Sequence, residues 1–382
     1  MITGARQVVK TLYFDQRDLC GGCLLIACTL IAIAWATHDA QSYATFWHYP
    51  VIAGFDRVHF INDVLMALFF FSIGLEVGSE LKHGTLSSRK AVTLPLLSAT
   101  GGYALPALIY LLIVGVHSIN AKGWAIPTAT DICFALSLLA MLGKRVPVSL
   151  RVFLLAIAVI DDIYAIVTVA LFYTNTIHIG YLCLSVAIVS LMYLWARQWV
   201  WSPYPYLVFG CFLWGAMLLS GIHPTLAGVI TALFVQFRSI GLSHRYEEAV
   251  SSLVLFLVVP TFALANAGVS LSGFIAGTVN LDITAMAVAV SLLVGKPLGI
   301  FGTVWVAVKL KLCELPDSTN LGMVFGVSVL CSLGFTLSLF IGRLAGLGSE
   351  GYKIGIVVAA IVASFVGMGI LRITCKQENL SE

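Results

Sequence analysis

The sequence predicts an all-α polytopic membrane protein of about twelve transmembrane helices. Three observations lead there. Of 382 residues, 60% are hydrophobic and 10% charged, and the mean hydropathy is +1.00, more apolar surface than one water-soluble core can hide. The apolar residues fall in stretches of roughly 20, the length that crosses a bilayer as a helix. Positive charges gather on one side of those stretches, as they do where topology is set by Lys and Arg.

Taken in order, breaks at Pro, Gly and charge clusters divide the chain into spans near 19–38, 59–80, 91–116, 124–143, 150–173, 179–200, 205–220, 223–238, 248–269, 283–307, 322–342 and 354–372. Arg6, Lys10 and Arg17 precede the apolar run Leu19–Ala36, which has no A-x-A-like cleavage site, so it reads as a first span and not a signal peptide. With both termini cytoplasmic, sixteen of the 21 Lys and Arg fall inside and only Arg57, Lys122, Arg343 and Lys353 outside. Lys296 belongs to neither side; it lies within span ten.

Composition also excludes partners. A net charge of +3 with no basic run interleaved with aromatics gives no footprint for nucleic acid, so the lipid bilayer is the expected partner. The nine cysteines are scattered through apolar segments and read as small fillers. Cys20 and Cys23 form a CxxC without a second pair or a histidine cluster, which argues against a metal or redox site; no cofactor is expected.

Charge inside the membrane carries the functional signal. "AIAVIDDIYAI" sets Asp161 and Asp162 side by side in span five, "IPTATDICFAL" places Asp131 in span four, "SLLVGKPLGIFG" holds Lys296, and "FINDVLMALFF" places Asp63 near the start of span two. Each such group costs about 2.5–3.5 kcal/mol at a helix centre unless it pairs or faces water. One buried Asp is explained well enough as a cross-link between helices. Neighbouring helix positions point about 100° apart, however, so two adjacent acids call for two partners.

Two spans look broken. In span four, Pro127 and the Thr128-Ala129-Thr130 run precede Asp131; in span eleven, Gly334 lies among Ser332, Thr336 and Ser338. Pro removes a backbone donor, and hydroxyls re-satisfy freed backbone groups, so each is a candidate interruption. Span four is the middle of 91–173 and span eleven the middle of 283–372, two triplets entering the membrane from opposite sides. The sequence therefore predicts an inverted-topology repeat, within one membrane domain, with two discontinuous crossing helices around a midplane ion site.

The motifs "INDVLMALFFFSIGLEV", "GWAIPTATDICFAL", "AIAVIDDIYAI", "ALFYTN", "SGIHPTLAGVI", "FALANAGVSL", "GKPLGI" and "CSLGFTLSLFI" run in order from about Phe60 to Arg372 and resemble the NhaA family of sodium/proton antiporters. That fold is itself one of the examples behind the inverted-repeat rule, so the repeat and the resemblance are not independent. The resemblance implies that Asp162 is the ion-binding carboxylate and that Asp161 is its neighbour, able to pair with Lys296. Thr130 and Asp131 match the crossing point, giving Asp161, Asp162 and Asp131 as the Na⁺-site acids. Asp63 matches a supporting acid near the cytoplasmic funnel. Glu76, Glu80 and Glu247 match a pH-responsive cytoplasmic cluster, and His223 matches a histidine linked to pH response. The implied activity is electrogenic exchange of Na⁺ or Li⁺ for H⁺ at the bacterial inner membrane, with no enzymatic chemistry, by a homodimer.

Physics supports the site. Half-helix ends meeting at midplane leave partial charges that Asp131 would neutralise at N-termini and Lys296 at C-termini. Alkali cations are hard and favour oxygen, and a carboxylate in low dielectric holds either a proton or a cation. Two departures stand out. Gly78-Ser79 and Glu248 replace basic residues and a histidine of the family's familiar pH cluster, and the segment 41–58 is short for the family's extracellular β-hairpin. Competing readings are an intramembrane aspartyl protease, which would leave Lys296 without a task, and a passive cation channel, for which no acidic ring or carbonyl filter is present.

Overall fold

A computed structural model describes residues 16–52, 55–174, 177–197, 203–238, 243–272, 282–347 and 350–375. Arg6, Lys10 and Lys376, three of the charges that set the expected orientation, lie outside the described residues. Among the described residues nine helices are long and apolar enough to cross a membrane, and Leu321–Leu330 with Phe335–Leu344, bent by 45°, makes a tenth. The two remaining expected spans are shorter. Tyr204–Ser220 has 17 residues and Leu226–Arg238 has 13, because the chain turns between them through Gly221, whose φ of 86° is left-handed.

The chain forms two compact units: one comprises residues 1–26, 88–162 and 278–382, the other 27–87 and 163–277. In the first, Arg89–Val114 packs along Lys296–Lys309, and Gly351–Thr374 packs against both Ile283–Val290 and Leu321–Leu330. A Cβ on Gly299 would collide with the backbone carbonyl of Gly101, so the first two helices touch main chain to main chain there. Both expected breaks are present in this unit. Span four is a 3₁₀ segment, Ile119–Thr128, then extended backbone, then the α-helix Ile132–Met141. Span eleven is interrupted at 331–334. A π-helical turn, Ser291–Gly295, immediately precedes Lys296, a local widening often found at functional positions.

In the second unit, the helix running Arg57–Lys82 lies along Leu226–Arg238. Small residues let them approach: a Cβ on Gly74 would meet Ala232 Cβ at 2.7 Å, and one on Gly78 would meet Gln236 Cγ at 2.6 Å. Phe71, Leu75, Leu213, Met217, Leu226 and Val235 centre the apolar core. The segment that looked short for a hairpin does contain one. Pro50–Ile52 pairs antiparallel with Phe55–Asp56, two short strands of five residues in all. Asp56 anchors it, accepting hydrogen bonds from the His59 amide at 2.7 Å and lying 2.8 and 2.7 Å from the His48 and His59 Nδ1 atoms. Burial alone would raise its pKa, but these hydrogen bonds and the His59 charge outweigh it and hold the carboxyl at about 2.

Candidate ion site

The site is built where the two broken spans meet, wholly within the first unit. Thr128 ends the 3₁₀ segment; Ala129, Thr130 and Asp131 then run extended, and only the Asp131 carbonyl joins the next helix, accepting from the Ala135 amide at 3.0 Å. Span eleven supplies partners to this stretch. The Asp131 amide donates to the Leu333 carbonyl at 2.5 Å, and the Thr130 hydroxyl lies 3.1 Å from the Cys331 carbonyl. Ser338 Oγ, further along span eleven, donates to the Ile126 carbonyl at 2.6 Å. Gly334 permits the contact, since a Cβ there would stand 2.6 Å from the Ala129 carbonyl oxygen.

Asp131 sits at the N-termini of two half-helices together. Its Oδ1 accepts from the Phe134 amide of Ile132–Met141 at 3.1 Å. Its Oδ2 accepts from the Thr336 amide and hydroxyl of Phe335–Leu344 at 3.1 and 2.8 Å. One carboxylate thus faces two positive helix ends, where negative charge is stabilised. At the opposite pole, Lys296 Nζ donates to the Thr128 carbonyl, at the C-terminal end of the 3₁₀ half. The same ammonium pairs with Asp161 Oδ2 at 3.0 Å, with both side chains fully shielded. Thr130 Oγ1 donates to that same Oδ2 at 2.6 Å, which leaves Asp161 Oδ1, buried, with no hydrogen-bond partner.

Asp162 follows on the same helix, Val148–Phe172, and is 3% exposed. The structure therefore brings Thr130, Asp131, Asp161 and Lys296 into one hydrogen-bonded network, with Asp162 adjacent to it in the chain. The three acids do not converge as a cluster; among the described residues no group of three acidic, His or Cys side chains is arranged to hold a metal. Asp131 is engaged on both oxygens by helix ends, so the pair 161–162 is what can offer carboxylate oxygen to an alkali cation.

The remaining predicted residues lie in the second unit and separate into two groups. Asp63 lies in a π-turn, Ile61–Leu65, at the hairpin end of its helix; its Oδ1 is 4.0 Å from His223 Nε2, and its backbone carbonyl accepts from Trp214 Nε1 at 2.9 Å. Glu76 and Glu80 lie 13 and 17 residues along the same helix, about 20 and 26 Å at 1.5 Å per residue. Glu80 Oε2 accepts from the Thr85 amide at 2.8 Å, and Glu247 belongs to Ser243–Leu253, which packs against this helix. His223 is thus placed with Asp63 and not with the three glutamates. A sequence motif carries no position along the membrane normal, whereas a rigid helix does.

Sequence reasoning missed Thr336 as a partner of Asp131, and the buried amide pair Asn62–Asn266, joined at 3.3 and 3.0 Å. The available signals were a hydroxyl two residues past the Gly334 break and a polar residue next to Asp63. Neither pattern says what lies opposite.

Comparison with known proteins agrees with this architecture. The family model described as "Na+/H+ antiporter 1" matches residues 13–371. The chain is 42% identical over 377 residues to the Na(+)/H(+) antiporter NhaA of Yersinia pestis bv. Antiqua (strain Angola), covering 94% of this chain and 95% of the relative. It shows the same identity and coverage with the NhaA antiporter of Yersinia pseudotuberculosis serotype O:3 (strain YPIII). With that of Photorhabdus laumondii subsp. laumondii it is 41% identical over 382 residues, 96% of this chain and 98% of the relative. A multi-pass helical membrane protein whose two interrupted spans cross beside buried acids, matched along nearly its full length, belongs to the NhaA family of Na⁺/H⁺ antiporters.

Proposed function

We propose that this chain is a secondary transporter, and not an enzyme, that moves Na⁺ or Li⁺ out of the bacterial cytoplasm in electrogenic exchange for external H⁺, for pH and sodium homeostasis. The observation that carries the reading is the Asp161–Asp162 pair, buried beside two helix breaks, with one Asp161 oxygen held by Lys296 and Thr130 and the other open. Proton and cation then compete for the same oxygens, and a site that reorients only when loaded turns that competition into exchange. Asp162 is the main cation ligand and Asp161 the acid whose pairing with Lys296 is broken or formed as the cation comes and goes. Asp131 and Thr130 hold the crossing together.

Residues 91–173 and 283–372 act as the inverted repeats, in the inner membrane, with both termini cytoplasmic; the charge asymmetry of the spans supports that orientation. Glu76, Glu80 and Glu247 respond to cytoplasmic pH, whereas His223 and Asp63 form a separate titratable pair. The hairpin supports assembly as a homodimer. No relative found supports proteolysis or passive conduction. The deciding experiment measures Na⁺-driven collapse of a pH gradient in proteoliposomes. Wild-type protein is expected to collapse it with net charge movement and Asp162→Asn to abolish the response; full antiport in the variant removes Asp162 from the site.

A further inference from the structure

The eleventh span carries two buried serines four residues apart that behave differently. Ser328 Oγ donates to the Val324 carbonyl at 2.8 Å, the ordinary solution for a hydroxyl in an apolar helix, also used by Ser98 and Ser137. Ser332 Oγ is buried and has no hydrogen-bond partner. Its backbone is in the break: its amide bonds the Val329 carbonyl and its carbonyl accepts from Gly334, so the regular helical acceptor four residues back is out of register. On either side, the Leu333 carbonyl accepts from the Asp131 amide and the Cys331 carbonyl lies beside the Thr130 hydroxyl, which sets Ser332 at the centre of the crossing. Through the Cys331 carbonyl, 3.1 Å from Thr130 Oγ1, covalent geometry keeps Ser332 Oγ within about 8 Å of that hydroxyl. Thr130 Oγ1 in turn touches Asp161, whose Oδ1 is likewise buried without a hydrogen-bond partner.

Buried polar oxygens are normally satisfied, and two orphans at one crossing indicate a missing shared partner. An alkali cation suits both, because it accepts neutral hydroxyl and charged carboxylate oxygen alike. Building on the proposed exchange at Asp161 and Asp162, we propose that Ser332 Oγ is an additional oxygen ligand of the transported cation and sets the preference between Na⁺ and Li⁺.

The test compares wild type, Ser332→Ala, Ser332→Cys and Ser328→Ala in proteoliposomes, reading the apparent KM for Na⁺ and for Li⁺ together with unfolding temperature in detergent. Ser332→Ala is expected to raise KM by about tenfold and to alter the Na⁺/Li⁺ KM ratio, while Ser328→Ala leaves both constants near wild type. Ser332→Cys keeps nearly the same volume but presents a soft ligand, so it is expected to follow Ser332→Ala and serves if the alanine variant does not fold. Wild-type KM for both ions in the Ser332 variants, whatever their unfolding temperature, overturns the assignment and leaves the exchange intact. Absence of Na⁺-driven exchange in the wild-type protein overturns the proposed function and this inference with it.

Discussion

Replacing Lys296 by Met tests the energetic core of the site. The substitution keeps an unbranched side chain of similar length but removes a fully buried charge that pairs with Asp161 Oδ2 at 3.0 Å and bonds the Thr128 carbonyl. Breaking a buried ion pair by deleting one partner costs about 3–5 kcal/mol, mostly because the other charge is left uncompensated. With an unfolding entropy of about 2.1 cal/mol/K per residue, 382 residues give about 0.8 kcal/mol/K, so a loss near 4 kcal/mol lowers the unfolding temperature by about 5 °C. The eight tryptophans provide the fluorescence signal for that measurement in detergent. The diagnostic step is the double variant with Asp161→Asn, which removes the orphaned charge as well. Its unfolding temperature is expected to recover by about half of the loss seen in Lys296→Met, so that the two substitutions together cost less than the sum of their separate costs. A single-variant shift below about 1 °C, or strict additivity in the double variant, refutes the view that this pair is a mutually compensated buried charge.

Lys296→Gln is expected to reduce the charge moved per Na⁺ in reconstituted vesicles if the lysine carries one of the exchanged protons, and an unchanged ratio assigns both protons to aspartates. Gly334→Ala places a Cβ 2.6 Å from the Ala129 carbonyl and 2.5 Å from Ser338 Oγ. Ser338 can rotate but the backbone at the crossing cannot, so cation KM is expected to rise several-fold; a wild-type KM shows that the crossing tolerates spreading. Asp56→Asn probes the hairpin. A carboxyl depressed to about 2 contributes stability that is fully present above its unfolded pKa, near 3.9, and is lost as pH falls through 2. Amide exchange in Pro50–Asp56 should therefore be faster in the variant at pH 7, with the gap closing between pH 4 and 2; a pH-independent gap attributes the effect to lost packing.

Much of this protein is written locally. Hydropathy finds the spans, Lys and Arg suggest their direction, and Pro127 and Gly334 mark the breaks, because each of these depends on residues a few positions apart meeting the same solvent. The cost of charge in lipid likewise singles out Asp131, Asp161, Asp162 and Lys296 by residue type and position in the chain alone. What tertiary structure decided is the pairing. That Asp131 serves two helix ends depends on Thr336, 205 positions away, and that Lys296 reaches both Asp161 and the Thr128 carbonyl depends on spans four, five and ten meeting at one point. The division of His223 from Glu76 and Glu80 is likewise a matter of length along a helix, and the orphaned oxygen of Ser332 is visible only once the hydroxyls around it have found their acceptors. Local patterning reflects what each residue must avoid; which distant residue relieves it is set by the packing of helices against one another.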